Sequence, residues 1–393
     1  MATAVLDVDF DHLPPSVTGL ERYQNAHILV RLGGRPVGQT TVPVTDGCIG
    51  GSELREALLE AAGWRLWEQW LHNLLEWDER PASSMRPSAT VAVCTRDRPE
   101  DLQRCLEALL RLPDDGQELM VIDNCPATED TRRLVERYGG VRYVRENTPG
   151  ASAARNRALR EARHEIVAFS DDDAAPDPGW LRALLRNFHD PLVFCVTGLT
   201  MPLELETEAQ EWFESHSPFG RGFKRFMLDG GDSNPLHVAR AGTSANMALR
   251  KTVREHVGFF DEALGPGTRS RTGEDFDMFL RILTSGYRIV YDPAALSWHR
   301  HRRTWQELRT TLRGYGVGVY AFLTRSLLVE REIAAPFICW GWFRYVQCPA
   351  LVRSLLCRPE RKPLDLLFAE LGGCLGGPWA YFSSRRQLRR RSR

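Results

Sequence analysis

The sequence predicts an α/β protein built on a mainly parallel sheet with covering helices, flanked by a small α+β unit and a helical C-terminal region. Three observations carry this. Strand-forming runs alternate with helical periodicities between residues 89 and 325. Polar residues cluster where successive runs end, at Thr95-Arg96-Asp97, Asp123-Asn124 and Asp171-Asp172-Asp173. The chain has 393 residues, 43% of them hydrophobic, which allows a large core and two or three structural units.

In residues 1–85, AHILVRLGGRPVGQTTVPV reads as two strands about the turn region Gly33-Gly34-Arg35-Pro36. An amphipathic helix follows over 52–76, with Leu, Ala and Trp at helical spacing. The sequence assigns this unit no task. ERPASSMRPSA, at 79–89, reads as a linker.

The second zone, 89–325, opens with a buried strand, TVAVCT at 90–95. PEDLQRCLEALLRL then places Leu102, Cys105, Leu106, Leu109 and Leu110 on one helical face. A strand at 118–123, a helix at 129–138, a strand at 141–145 and a helix at 151–163 come next. The strand EIVAFS then runs into the three aspartates. Such alternation implies parallel strands, and ligands of open α/β sheets lie at the carboxyl ends.

Residues 326–393 are rich in Trp and Arg, including Trp340, Trp342, Trp379, Arg344, Arg353 and Arg358. Two readings stay open for them: an amphipathic helix at a membrane surface, or ordinary packing against the second zone. The last nine residues, RRQLRRRSR, hold six arginines and read as a solvated tail.

Charge and cysteine usage narrow the class. With 51 basic and 51 acidic residues, no global field draws the chain to nucleic acid, and none is expected as a partner. Nine scattered cysteines without a CxxC pair fit a reducing cytosol rather than a disulfide framework or structural zinc. MATAVLDVDFDHLPP lacks the pattern of a signal peptide. The apolar run IAAPFICWGWF, ended by Arg344, falls short of the ~20 residues of a spanning helix. A cytoplasmic protein is expected, with peripheral contact at the inner face of the cell membrane as a further expectation.

The run of aspartates poses the chemical question. Two carboxylates ~5 Å apart repel by roughly 3 kcal/mol at an effective dielectric near 20. Water at an exposed loop, or a cation, relieves that. Asp171 and Asp173 suit Mg²⁺ or Mn²⁺, hard ions commonly held by one or two carboxylates and completed by substrate phosphates. The pair therefore points to a phosphate-bearing substrate.

The ordered set of motifs resembles the inverting nucleotide-sugar glycosyltransferases of family 2, which share the GT-A fold. It comprises VAVCTRDRPEDLQRCL, VIDN, GASAARNRALREA, AFSDDDAAPDPGWL, AGTSANMALRK, GFFDEALGPGT, GEDFDMFLRILTSGYRIVY and SWHRH, over about 235 residues. The resemblance implies that Thr95 and Arg96 flank the nucleotide, although Cys94 stands where the family often has proline. It implies that Asp123 hydrogen-bonds the base and that Arg155 faces the nucleotide, while Asn156 only holds its helix. Gly150 permits close backbone approach, and the helix opening at Ala151 favours phosphate.

Asp171 and Asp173 become the DxD pair, with Asp173 the direct metal ligand and Asp171 on ribose or metal. Asp172 either joins the donor site or supports it. His299 is implied as third metal ligand or donor-phosphate contact. Ser244 and Asn246 would line the donor-sugar pocket. Trp180 and Trp298 either stack on sugar rings or pack in the core. Inverting transfer needs a carboxylate beside the acceptor hydroxyl; the resemblance places it in the Glu274-Asp275 pair, with Asp275 preferred.

The expected function is transfer of a sugar from a nucleotide-diphosphate donor, with Mn²⁺ or Mg²⁺, to a hydroxyl on a glycan, lipid-linked or small-molecule acceptor. A nucleotidyltransferase acting on sugar phosphates is the enzymatic alternative, but its Gly-rich loop is missing from TRDRPED. The other alternative is a degenerate GT-A scaffold that binds without turnover.

Overall fold

The computed structural model describes residues 2–75, 87–231, 237–356 and 361–391. The expected linker falls largely outside the described residues, as does Arg358.

The N-terminal unit contains β1 (Thr3–Asp9), β2 (Ser16–Val17), β3 (Asn25–Leu32), β4 (Arg35–Pro43), β5 (Ile49–Gly50) and helix α1 (Gly51–Leu74). Its sheet has the order β1-β3-β4, with β1 parallel to β3 and β4 antiparallel. Gly33 and Gly34 turn the hairpin at φ 56° and 78°, a left-handed pair that matches the strands' twist. Leu54, Leu58, Ala62 and Leu66 of α1 cover the sheet. A Cβ on Gly38 would lie 2.6 Å from that of Ala62, so glycine is what lets helix and sheet meet. The unit is pinned to the rest of the chain by Arg31, which pairs with Asp177 at 2.7 Å.

The central unit comprises β6 (Ala89–Thr95), α2 (Pro99–Leu109), β7 (Glu118–Asn124), α3 (Asp130–Val135), β8 (Val141–Glu146), α4 (Ala151–Glu161) and β9 (Ile166–Asp171). It continues through β10 (Ala174–Pro176), α5 (Trp180–Leu185), β11 (Val193–Pro202), α6 (Glu208–His216) and β12 (Phe226–Leu228). β13 (Asn246–Arg250), α7 (Val253–His256), α8 (Glu274–Thr284) and β14 (Arg288–His299) complete it. The sheet runs β10-β14-β11-β13-β9-β6-β7-β8, with β12 also on β14. β6, β7, β8, β9, β11 and β14 point one way; β13, set between β9 and β11, runs against them.

Both faces of the sheet are buried, as the apolar strands require. In β6, Val91 and Val93 face one core with Leu102 and Leu106 of α2, while Ala92 faces the other with Ala154 and Ala158 of α4. Period-two alternation thus feeds two cores.

Helices α9 (Trp305–Leu328), α10 (Ala335–Trp342), α11 (Cys348–Leu355) and α12 (Leu364–Arg391) form the C-terminal region. A capping box between Thr304 and Glu307 starts α9. The division drawn at residue 325 falls inside α9, which belongs to both zones. α12 lies along it at backbone distance: a Cβ on Gly373 would meet the Arg313 carbonyl at 2.2 Å. The expected solvated tail is helical through Arg391. Packing uses one face of these helices, including Leu366, Leu367 and Tyr381, and leaves Phe337, Trp340, Tyr345 and Leu375 exposed. Among the described residues, no helix is long and apolar enough to cross a membrane.

Candidate active site

Four strand ends lie at the carboxyl edge of the sheet, and two of them, those of β9 and β14, meet at the cavity. Thr95, Asp123 and Asp171 end the parallel strands β6, β7 and β9. His299 ends β14, and the antiparallel register of β10 sets it opposite Ala174, beside the aspartates. The Nε2 of His299 lies 3.0 Å from Asp173 Oδ1 and 3.9 Å from Asp171 Oδ2. One ligand atom from each of Asp171, Asp173 and His299 lies within 4.8 Å of the others.

The three aspartates have separate surroundings. Asp172 is buried and accepts a 2.7 Å hydrogen bond from Thr95 Oγ1. Burial and the neighbouring Asp173 raise its pKa to about 6, against the pull of Arg98 and Thr95. Asp173 is held well below the usual range: burial opposes ionisation, but His299, Arg302 and Arg98 outweigh it. Burial also works against a charged His299, and Asp173 overcomes it, so the imidazole is pushed up. Asp171 remains a third exposed, its oxygens set between Arg155 and His299. Two carboxylates and an imidazole nitrogen so placed fit a divalent cation, because oxygen and imidazole donors converge from three residues on one point.

Arg155 is buried between Glu274, at 2.8 Å, and Asp171, at 3.7 Å. Glu274 and Asp275 open α8, whose N-cap Gly273 has φ 98° and packs on the carbonyl of Gly318 in α9. A side chain there would collide at 2.7 Å and push the acids away from α9. Asp275 accepts from the Phe276 amide at 2.9 Å and weakly from that of Ser244 at 3.4 Å. Burial pushes its pKa upward, partly opposed by these amides and by Arg155. Asp277 turns the other way, into a buried pair with Arg281 at 2.8 Å.

A cavity of ≈ 1340 Å³ is bordered by Arg155, Asp171, Ser244, Glu274, Asp275 and His299. Asp123 stands apart at the end of β7, fully buried, with Tyr143 donating to Oδ2 at 2.9 Å and Oδ1 without a partner. Arg96 is exposed, 3.7 Å from Asp97.

One expectation needs correction. Asn246 does not line the cavity: its amide donates to the carbonyls of Leu199 and Ala295 and accepts from the Trp180 indole, so it is consumed holding strands together. Of the two readings open for Trp180 and Trp298 the structure shows packing: Trp180 is fully buried in the core. Trp298 packs with Leu29, Leu199 and Met201 beneath the N-terminal unit. Thr95, implied to flank the nucleotide, spends its hydroxyl on Asp172.

Arg98 and Arg302, each 3.4 Å from Asp173 Oδ2, were not anticipated. Their signals were Arg98 inside TRDRPED and the basic run after Trp298. Arg302 and Tyr315 also border the cavity.

An acidic cluster at the carboxyl ends of such a sheet, with a cavity against it, is where open α/β sheets bind their ligands. Residues 90–255 match the family model "Glycosyl transferase family 2". The chain carries a family 2 glycosyltransferase domain with the GT-A fold. It is 29% identical over 227 residues to a Pre-mycofactocin glycosyltransferase of Mycobacterium tuberculosis, covering 56% of this chain and 44% of that protein. The chain thus spans less than half the length of that relative. The Probable glycosyltransferase YdaM of Bacillus subtilis is 23% identical, over 74% of this chain and 70% of that one. A mannosyltransferase from Pyrobaculum calidifontis, solved with GDP-Man and Mn²⁺, superposes with TM-score 0.53 at 17% identity, covering 80% of this chain and 94% of that one.

Proposed function

We propose that the chain transfers a sugar, with inversion, from a nucleotide-diphosphate donor to an acceptor hydroxyl, dependent on Mn²⁺ or Mg²⁺. The observation that carries this is the convergence of Asp171, Asp173 and His299 within 4.8 Å on a cavity also bordered by Asp275.

Asp171, Asp173 and His299 would hold the cation, which supplies charge to stabilise the departing diphosphate. Arg98 and Arg302 keep Asp173 ionised for that task. Asp123 offers its unpartnered oxygen to a donor group of the base. Asp172, bound to Thr95, positions the loop instead of binding substrate. The base is Asp275, because Glu274 is ion-paired with Arg155 while Asp275 is hydrogen-bonded by amides and, among the described residues, pairs with no arginine. Its carboxylate takes the acceptor proton as the hydroxyl attacks.

The assignment of residues 89–325 as the catalytic unit belongs to this reading, as does placement at a membrane surface through the C-terminal helices. The test is a panel of nucleotide sugars incubated with the purified chain, with and without Mn²⁺. Metal-dependent release of nucleoside diphosphate supports the reading; its absence across the panel, with no metal-dependent nucleotide binding, favours a non-catalytic scaffold.

A further inference from the structure

The cavity does not stop at the acids. It continues along α9 and α12, where Phe322, Leu323, Ile338, Trp342 and Trp379 border it. On α12, Gly372 and Gly376 line this stretch, one turn apart on the helix. A Cβ at either position would meet nothing within 4 Å. Gly373 and Gly377 are different: their missing side chains admit α9, with backbone atoms 2.2 and 2.8 Å from where a Cβ would sit. The first pair of glycines therefore leaves an open apolar trough, and the second pair closes a helix contact.

The trough has a basic rim. Arg269, Arg271 and Arg313 border the same stretch, with Arg269 over the Trp379 ring at 5.3 Å. Of the bordering acids, Asp171, Glu274 and Asp275 belong to the catalytic end, and Glu370 is paired with Lys362. Beyond the trough, Phe337, Trp340 and Tyr345 are exposed on α10 and the turn after it. Residues 334–356 contain Arg344 and Arg353 and no acid. Aromatic side chains with arginines and no carboxylate suit an anionic lipid surface.

Taking the proposed transferase reading as its basis, we propose that the trough over Gly372 and Gly376 takes the hydrocarbon of a lipid-anchored acceptor with an anionic phosphate headgroup. The tail lies on the two glycines and Trp379, the headgroup meets the arginines, and the hydroxyl to be glycosylated faces Asp275. A soluble glycan would leave the apolar wall wet.

Farnesyl phosphate, below its micelle concentration, is the probe, with farnesol and inorganic phosphate as separate arms. Wild-type protein should show a rise in Tm with farnesyl phosphate that neither other arm reproduces. Gly376→Leu and Gly372→Leu fill the trough with a residue a helix favours over glycine. Each should weaken farnesyl phosphate binding at least tenfold while the Tm rise produced by Mn²⁺ with nucleoside diphosphate persists. An equal response to inorganic phosphate, or unchanged farnesyl phosphate binding in both variants, overturns the lipid assignment. Loss of the Mn²⁺–nucleotide response in wild type instead defeats the transferase reading beneath it.

Discussion

His299 Nε2 sits 3.0 Å from Asp173 Oδ1, two residues distant in sequence brought together where β10 pairs with β14. That contact turns an acidic loop into a three-sided ligand set. Asp173→Asn should weaken Mn²⁺ binding at least ~100-fold, since even outer-shell changes cost 10–100-fold. Calorimetric Mn²⁺ titration of wild type and variant checks this, and equal affinities would move the ion elsewhere.

Asp275 is the only acid of α8's first turn facing the cavity without an arginine against it. Asp275→Asn should lower the transfer rate by about 10²–10⁴. Nucleotide binding with Mn²⁺ should be little changed. A variant that transfers at the wild-type rate would falsify the base assignment.

Glu274 and Arg155 are a buried ion pair, each side chain 5% exposed. Removing one partner strands a charge, so Glu274→Gln should destabilise the fold by about 3–5 kcal/mol. Denaturant melts measure this directly. Unchanged stability together with lost transfer would instead make Glu274 the base.

The pH profile follows from the sign of the Asp275 shift. A base works as the carboxylate, so activity rises with pH through its pKa. Burial raises that pKa above the ordinary aspartate value, and the acid limb of kcat/KM should be displaced upward accordingly. In Asp275→Asn the residual activity should lose this limb. A limb at the ordinary value would mean the site is wetter than its burial indicates.

Asp123 leaves one oxygen unpartnered in a fully buried place. If that oxygen receives a nucleobase donor, Asp123→Ala should cost about 1–3 kcal/mol in nucleotide affinity. Mn²⁺ binding without nucleotide should stay as in wild type. Competition titrations with uridine and guanosine diphosphates would show which base loses most; equal, unchanged affinities would leave Asp123 a structural partner of Tyr143.

Much of this was legible in one dimension. The alternation of apolar runs announces the β6–β9 block, and the polar residues after each run mark the face where a ligand binds. The resemblance motifs carry the acids and His299 together. What was misread is Asn246. It occupies a motif position, yet its side chain is taken by the Trp180 indole of α5 and two backbone carbonyls. No spacing in the chain reveals that pairing.

By itself the sequence determined the strand and helix periods, the acids at strand ends and the glycine turn at Gly33 and Gly34, because those depend on local sterics and side-chain alternation. Tertiary structure alone decided that β13 runs against its neighbours, that Arg155 silences Glu274 rather than Asp275, and that Arg98 and Arg302 close on Asp173. Those outcomes are set by which distant side chains share one low-dielectric space. Local pattern carries no information about that distance.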